Sequence, residues 1–313
     1  IAVREDHEPD TLARHGEAEN ALVAIDLSDG AVTVLADGSD FVAAPRLSPD
    51  GTRLAWLRWN HPNLPWDGTE LVLAELDAAG RLRDARVVAG GPSDWISQPR
   101  WSPDGVLHFL AEPDGWMNLF RLGAGDAPER AAAPLDVEFA YPDWIFGTSN
   151  YAFAGDGAII AVGRNLSRDR LYRIAPSRPG ETPAAPVEVE LDFTELGYLA
   201  VDGQTAVLRA AAPDRPWAIV EVDLARSTTT VLQSSTTSVF DPEDASIGRP
   251  VEFPTEGGQT AHGILYLPHN RSFRGPDGAL PPLVVTSHGG PTAHTSTAFA
   301  VGTQLFTSRG FAV

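Results

Sequence analysis

The stretch PRLSPDG at residues 45–51 returns as PRWSPDG at residues 99–105, seven residues with one change at a spacing of 54. In each copy Ser-Pro-Asp-Gly encodes a tight turn: proline presets φ, the aspartate side chain bonds nearby backbone, and glycine accepts a positive φ. Alternating runs at 53–59 and 106–111 follow the two turns and read as strands.

A second pattern, an apolar strand, a turn and another strand, recurs at 21–35, 70–88, 118–133, 170–191 and 217–232, with starts about 47 to 52 residues apart. A period of this size with about four strands per repeat is the signature of propeller blades. Five outer hairpins are present and the first lacks its innermost strand, so residues 1–235 are expected to form about four and a half blades. No long helical periodicity interrupts them.

Composition turns polar and acidic at 236–250, which reads as a linker, and residues 251–313 start a different rhythm. Strands are expected at 251–253, 261–267 and 283–286, with a Gly257-Gly258 turn between the first two. A helix over about 296–309 would turn Ala298, Phe299, Val301, Leu305 and Phe306 to a core, with Gly310 as its left-handed C-cap. Three strands and a helix are the entry to an α/β sheet. The expected fold is therefore mainly β: a partial β-propeller followed by the first strands and helix of an α/β domain.

Composition excludes several chemistries. The net charge of -19 argues against nucleic-acid binding, which depends on basic side chains. All 23 basic residues are arginine, so lysine Schiff-base and phosphate-loop chemistry is absent, and the lack of cysteine removes disulfides and thiol nucleophiles. No apolar run approaches the ~18 residues that would suggest a membrane span. His7, His15, His61, His108, His262, His269 and His294 show no metal-ligand spacing, and no metal or cofactor is expected. The sequence starts at Ile1, its one methionine is Met117, and no leader is visible; it reads as a piece of a longer, cytoplasmic protein.

His288-Gly289-Gly290-Pro291 follows directly on the expected strand 283–286. Acyl transfer needs backbone N–H groups aimed at the oxygen that becomes negative, and glycine lets the backbone come close with unusual dihedrals. Such a loop supplies one oxyanion donor in α/β hydrolases. Ser287 has no base placed beside it and is not read as a nucleophile. No G-x-S-x-G occurs in the sequence. His288 precedes any nucleophile elbow, whereas the base of that fold follows it, so its expected role is to order the glycine loop.

The order of propeller, acidic linker, VEFPTEGG (251–258), PPLVVTSHGGP (281–291) and a helix ending in SRGFAV (308–313) resembles the prolyl oligopeptidase family of serine peptidases. Segments such as WNHPNLPWDGTEL (59–71) and GWMNLFRL (115–122) are similar to its acylaminoacyl-peptidase and dipeptidyl aminopeptidase branch. The resemblance implies a seven-bladed propeller capping an α/β-hydrolase domain with a Ser, Asp, His triad. It places oxyanion donation on Gly290 first and Gly289 second, and it implies that the triad lies outside these residues.

In a four-stranded blade the A–B and C–D turns leave one face, and the B–C and D–A loops the other. The longer loops at 60–68, 112–116 and 135–143 share the second face, where the hydrolase would also dock. His61, Trp66, Glu112, Trp116 and Glu138 are therefore the candidate substrate-binding residues, with Glu138 preferred for a peptide α-amino group. The expected function is serine-type exopeptidase action on short peptides or amides in the full-length protein, with this chain supplying the gating propeller and one oxyanion loop and inactive by itself. Its expected partners are that substrate and the rest of the hydrolase domain. A propeller binding module without catalysis and an esterase or amidase on a small acyl compound are the alternatives.

Overall fold

The computed structural model describes residues 1–237, 241–290 and 292–313; residues 238–240 of the expected linker and Pro291 of the glycine tetrad lie outside them. Five antiparallel sheets follow one another along the chain. The first has three strands, β1 (Ala2–Asp6), β2 (Glu19–Ile25) and β3 (Val32–Ala36), with a short helix α1 (Pro9–His15) between β1 and β2.

Four four-stranded meanders follow. They are β4 (Phe41–Leu47), β5 (Arg53–Trp59), β6 (Glu70–Leu76) and β7 (Leu82–Gly90); β8 (Ile96–Trp101), β9 (Leu107–Ala111), β10 (Asn118–Leu122) and β11 (Pro128–Arg130). Next come β12 (Tyr151–Phe153), β13 (Ile159–Asn165), β14 (Arg168–Ile174) and β15 (Val187–Val189), then β16 (Glu195–Asp202), β17 (Thr205–Ala212), β18 (Arg215–Asp223) and β19 (Thr228–Ser234). The expected count of about four and a half blades is what the strands form: one three-stranded sheet and four complete ones.

Each sheet carries the hydrophobicity its position demands. Central strands β5, β9 and β13 are buried on both faces and read as nearly continuous apolar runs, whereas outer strands β7 and β19 are largely exposed and rich in Arg or Thr. Leu57, Leu71, Leu73, Ile96, Leu107 and Phe109 join the second and third sheets in one core cluster. Each such side chain contributes about 1.5–3 kcal/mol by leaving water.

The repeated motif folds as its residues require. Ser48 donates its hydroxyl to Asp50 at 2.6 Å and accepts the Gly51 N–H on its carbonyl at 2.9 Å; Ser102, Asp104 and Gly105 repeat the pattern at 2.5 and 2.9 Å. Hydrogen bonds from the Ser48 hydroxyl first, and then from Thr52, pull the Asp50 carboxyl down to about 2. Immediately before each turn the innermost strand bulges. Register slips between Ala43 and Arg46 in β4, and between Ser97 and Arg100 in β8, with Ala44 at φ 48 and Gln98 at φ 50. A third bulge in β16 puts Tyr198 at φ 56.

After the fifth sheet, β20 (Arg249–Pro254) and β21 (Thr260–Leu265) form a two-stranded ribbon, and α2 (Val301–Thr307) is the last helix. Two compact units result: residues 1–159 with 174–187, and residues 160–173 with 188–313.

Helix α1, seven residues long, sits within the run of strands; Pro9 starts it and Gly16, in the left-handed region at φ 78, stops it. Three expectations are corrected here. The helix expected over 296–309 is shorter: the Thr297 and Phe299 N–H groups donate to Glu195 and to the Ala212 carbonyl, and Ala300, extended at φ -125 and ψ 115, is its N-cap. Its apolar face is not the buried one: Val301, Leu305 and Phe306 are exposed, while Gln304 and Thr307 are buried. Gln304 bonds both the N–H (2.8 Å) and the carbonyl (3.1 Å) of Ser246, so an amide pairing with backbone sets the helix face. The strand expected at 283–286 is reduced to one parallel bridge between Leu283 and Ala312, with Val285 left 80% exposed.

Candidate functional site

The glycine loop lies inside a strand–loop–helix–strand connection. Val284 N–H donates to the Ala312 carbonyl and Ala312 N–H to the Pro282 carbonyl, both at 2.9 Å, so the segments on either side of the loop and α2 run parallel. Tyr266 and Val313 exchange N–H···O bonds at 2.8 and 2.9 Å on the other side. Helix α2 ends as expected at Gly310: its N–H reaches the Thr307 carbonyl, the Phe311 N–H reaches the Phe306 carbonyl, and the two phenylalanine rings meet edge-on at 5.8 Å. Together with φ 91 at Gly310 this is a Schellman motif.

His288, Gly289 and Gly290 are exposed, and Gly290 adopts φ 75. No other heavy atom lies within 4 Å of where a Cβ would stand on either glycine. The ring of His288 makes no hydrogen bond among the described residues.

What holds the far end of this segment was not legible in the motif. Glu195 of β16 is buried and accepts both the N–H (2.7 Å) and the hydroxyl (2.9 Å) of Thr297. Its second carboxylate oxygen meets Arg164 at 2.7 Å, and Arg164 also forks onto buried Asp169 at 2.8 and 2.9 Å. Asp169 in turn accepts the Leu196 N–H at 2.8 Å. Every charge in this cluster is paired, which burial requires.

The five candidate binding residues separate into three groups. Glu138, Glu112 and Trp116 come together. Glu138 is half-buried and accepts the Met117 N–H at 3.0 Å; burial first, and the Glu112 carboxylate next, push its pKa up against that hydrogen bond. Buried Asn118 fastens the two loops, donating to the carbonyls of Trp116 (3.2 Å) and Leu135 (3.0 Å) and accepting the Leu135 N–H at 3.0 Å.

Trp66 instead packs on Trp144, ring centroids 4.6 Å apart. His61 stands apart with Phe41, ring to ring at 5.0 Å, and with Glu17, whose carboxylate is 3.1 Å from Nε2.

Trp144 belongs to a loop that sequence reasoning passed over. Asp143 is half-buried at its base, accepting hydroxyls from Ser97 (2.6 Å) and Thr148 (2.8 Å), and burial raises its pKa against those bonds. Beyond this anchor Trp144, Ile145 and Phe146 are 60%, 56% and 64% exposed. The signal was present as three large apolar residues between Pro142-Asp143 and Gly147, too short a run to separate from a strand.

No protein-family model matches the sequence, and no curated protein matches it. Solved structures do. A puromycin-hydrolysing peptidase of Mycobacterium tuberculosis is 32% identical, with a TM-score of 0.86 over 95% of this chain and 45% of that one. A puromycin hydrolase is 35% identical, with a TM-score of 0.85 and the same shares. Prolyl endopeptidases share the fold, with a TM-score of 0.62 at 15% identity over 94% of this chain and 41% of theirs. The chain thus spans just under half the length of the structures it matches.

Proposed function

Because the chain belongs to the prolyl oligopeptidase family, we propose that it is the gating propeller and the opening of the catalytic domain of a serine peptidase acting on short peptides or amides from their N-terminal side. Residues 1–235 form the propeller in this reading, 236–250 the linker, and 251–313 the start of the α/β-hydrolase domain. The observation that carries it is the exposed His288-Gly289-Gly290 backbone set between a parallel-paired segment and α2.

There the Gly290 N–H, with Gly289 second, donates to the oxygen that becomes negative when a serine attacks the scissile carbonyl. The serine, its acid and its histidine come from outside this sequence, which has no G-x-S-x-G. Glu195 and Arg164 act as positioning residues, since they hold Thr297 at the far end of the same segment.

Glu138 is the acceptor for a substrate α-ammonium group, supported by its partial burial and by the neighbouring Glu112 carboxylate. Two carboxylates beside Trp116 suit a cation better than an anion. Puromycin, which the names of two similar structures carry, is the first substrate to try.

The test is turnover by the full-length protein of puromycin and of aminoacyl, N-acyl-aminoacyl and ester chromogenic substrates. Aminoacyl amides are expected to be cleaved, and Gly290→Ala, which puts a Cβ at φ 75, is expected to lower kcat at least tenfold with little change in KM. Turnover of esters alone would overturn the peptidase reading, and the absence of any turnover would favour a binding module.

A further inference from the structure

The two arginines of the repeated motif have no part in the reading above. Arg46 and Arg100 each follow a proline at the end of a β-bulge, two residues after Ala44 and Gln98 in the left-handed region. A bulge inserts one residue into the alternation and re-aims the side chains beyond it. Here the same device is used twice, on neighbouring strands: the Trp101 indole N–H donates to the Arg46 carbonyl at 2.9 Å and fastens β8 to β4.

Both side chains are half-buried. Burial first, and the charge of Arg100 second, lower the pKa of Arg46. Arg46 donates to the carbonyl of its own neighbour Pro45 at 2.9 Å. Arg100 lies over the Tyr151 ring at 5.6 Å and has a buried Nε with no hydrogen-bond partner among the described residues. The Tyr151 hydroxyl is already committed to the Gln98 carbonyl at 2.8 Å. Nearby Asn150, 4% exposed and held to Gln98, also has a buried Nδ2 without a partner.

Among the described residues neither Arg46 nor Arg100 has a carboxylate within ion-pair distance. Elsewhere in this chain of 42 acidic residues, buried Arg121 is paired with Glu129, Arg164 with Asp169 and Glu195, and even exposed Arg271 with Asp241, Glu243 and Asp244. Two half-buried arginines at equivalent positions of strands fastened to each other, one with a buried Nε that meets no acceptor among the described residues, are costly unless an anion joins them. We infer that Arg46 and Arg100 form a binding site for a small oxyanion, a carboxylate or a phosphate, whose oxygens the two guanidinium groups share.

The decisive measurement is calorimetric titration of the full-length protein with inorganic phosphate, N-acetyl-glycylglycine and the C-terminal amide of that peptide. The acetyl group removes the amine that Glu138 would recognise, so the result is independent of the peptidase reading. Binding of phosphate, of the free acid, or of both is expected, with the amide at least tenfold weaker than the acid where the acid binds; which of the two binds identifies the source. Arg46→Gln and Arg100→Gln are each expected to weaken binding at least tenfold with unchanged circular dichroism, and Arg53→Gln to leave it unchanged. The comparison of acid, amide and phosphate on the unsubstituted protein needs no variant to fold. Failure of both anions to bind, equal binding of acid and amide with no phosphate binding, or undiminished affinity in a folded double variant would overturn the site.

Discussion

Glu195 receives two hydrogen bonds from a single residue, the N–H of Thr297 at 2.7 Å and its hydroxyl at 2.9 Å, across 102 positions of sequence. A buried carboxylate that also meets Arg164 thereby decides where the segment after the glycine loop begins. Removing one partner of such a buried ion pair leaves the rest uncompensated and costs about 3–5 kcal/mol. Glu195→Ala should therefore speed amide exchange at Thr297 and Leu196 and lower the unfolding midpoint, while Glu195→Gln, which keeps an acceptor for Thr297, should lose less. Unchanged exchange in the alanine variant would remove Glu195 from its positioning role.

A second expectation concerns acid. His108 is 6% exposed, its Nδ1 lies 3.1 Å from the Val106 carbonyl and its ring stands edge-on to Phe153 at 5.0 Å. Burial, reinforced by Arg121, pushes it down to about 4 from an unfolded value near 6.5. The unfolded chain binds the proton first, so stability is constant above that upper value and falls as pH drops towards the lower one, by roughly 3 kcal/mol in all. Urea midpoints at pH 7 and pH 4.5 measure it, and His108→Phe should flatten the difference.

The bulges offer a contrast between two equivalent positions. Ala44 and Gln98 share nearly the same left-handed backbone, φ 48 and φ 50, but only Gln98 uses its side chain, bonding Asn150 at 2.9 and 2.7 Å. Ala44→Gly should stabilise by about 0.5–1 kcal/mol, the strain relieved less the glycine entropy. Gln98→Gly should destabilise by about 1–3 kcal/mol, because Asn150 is left buried without its partner. Chemical denaturation of the two variants compares the signs.

Amine recognition by Glu138 carries its own pH signature. The carboxyl must be ionised to hold an ammonium group, and its pKa is raised by burial. In the full-length protein KM for aminoacyl amides should rise as pH falls through a value above the ordinary glutamate range, whereas N-acyl substrates stay flat. Glu138→Gln should raise KM for the free amines about tenfold or more and abolish the difference between the two profiles.

Much of this protein is readable from neighbouring residues alone. Ser-Pro-Asp-Gly turns need only their own side chains, so the repeats at 45 and 99 announced the blades and placed β5 and β9 within a residue. The Gly310 helix stop was equally local, set by one residue that can take a positive φ. Central strands are nearly continuous apolar runs and outer ones are not, and that contrast is also written into composition.

Other features depend on groups far away in the chain. The helix expected to start at Ser296 starts at Val301, after a segment tied to Glu195 and Ala212 and an extended Ala300, and its buried face is polar because Gln304 finds the Ser246 backbone. Likewise the loops holding His61, Trp66 and Glu138 share a length and are expected on one face, yet packing divides them, with Trp66 on Trp144 and Glu138 beside Met117 and Glu112. Turn chemistry and period are satisfied within a few residues and survive any context. Which backbone donor is taken, which carboxylate is desolvated and which arginines are left without a carboxylate are set by long-range partners, and those exist only once the chain has folded.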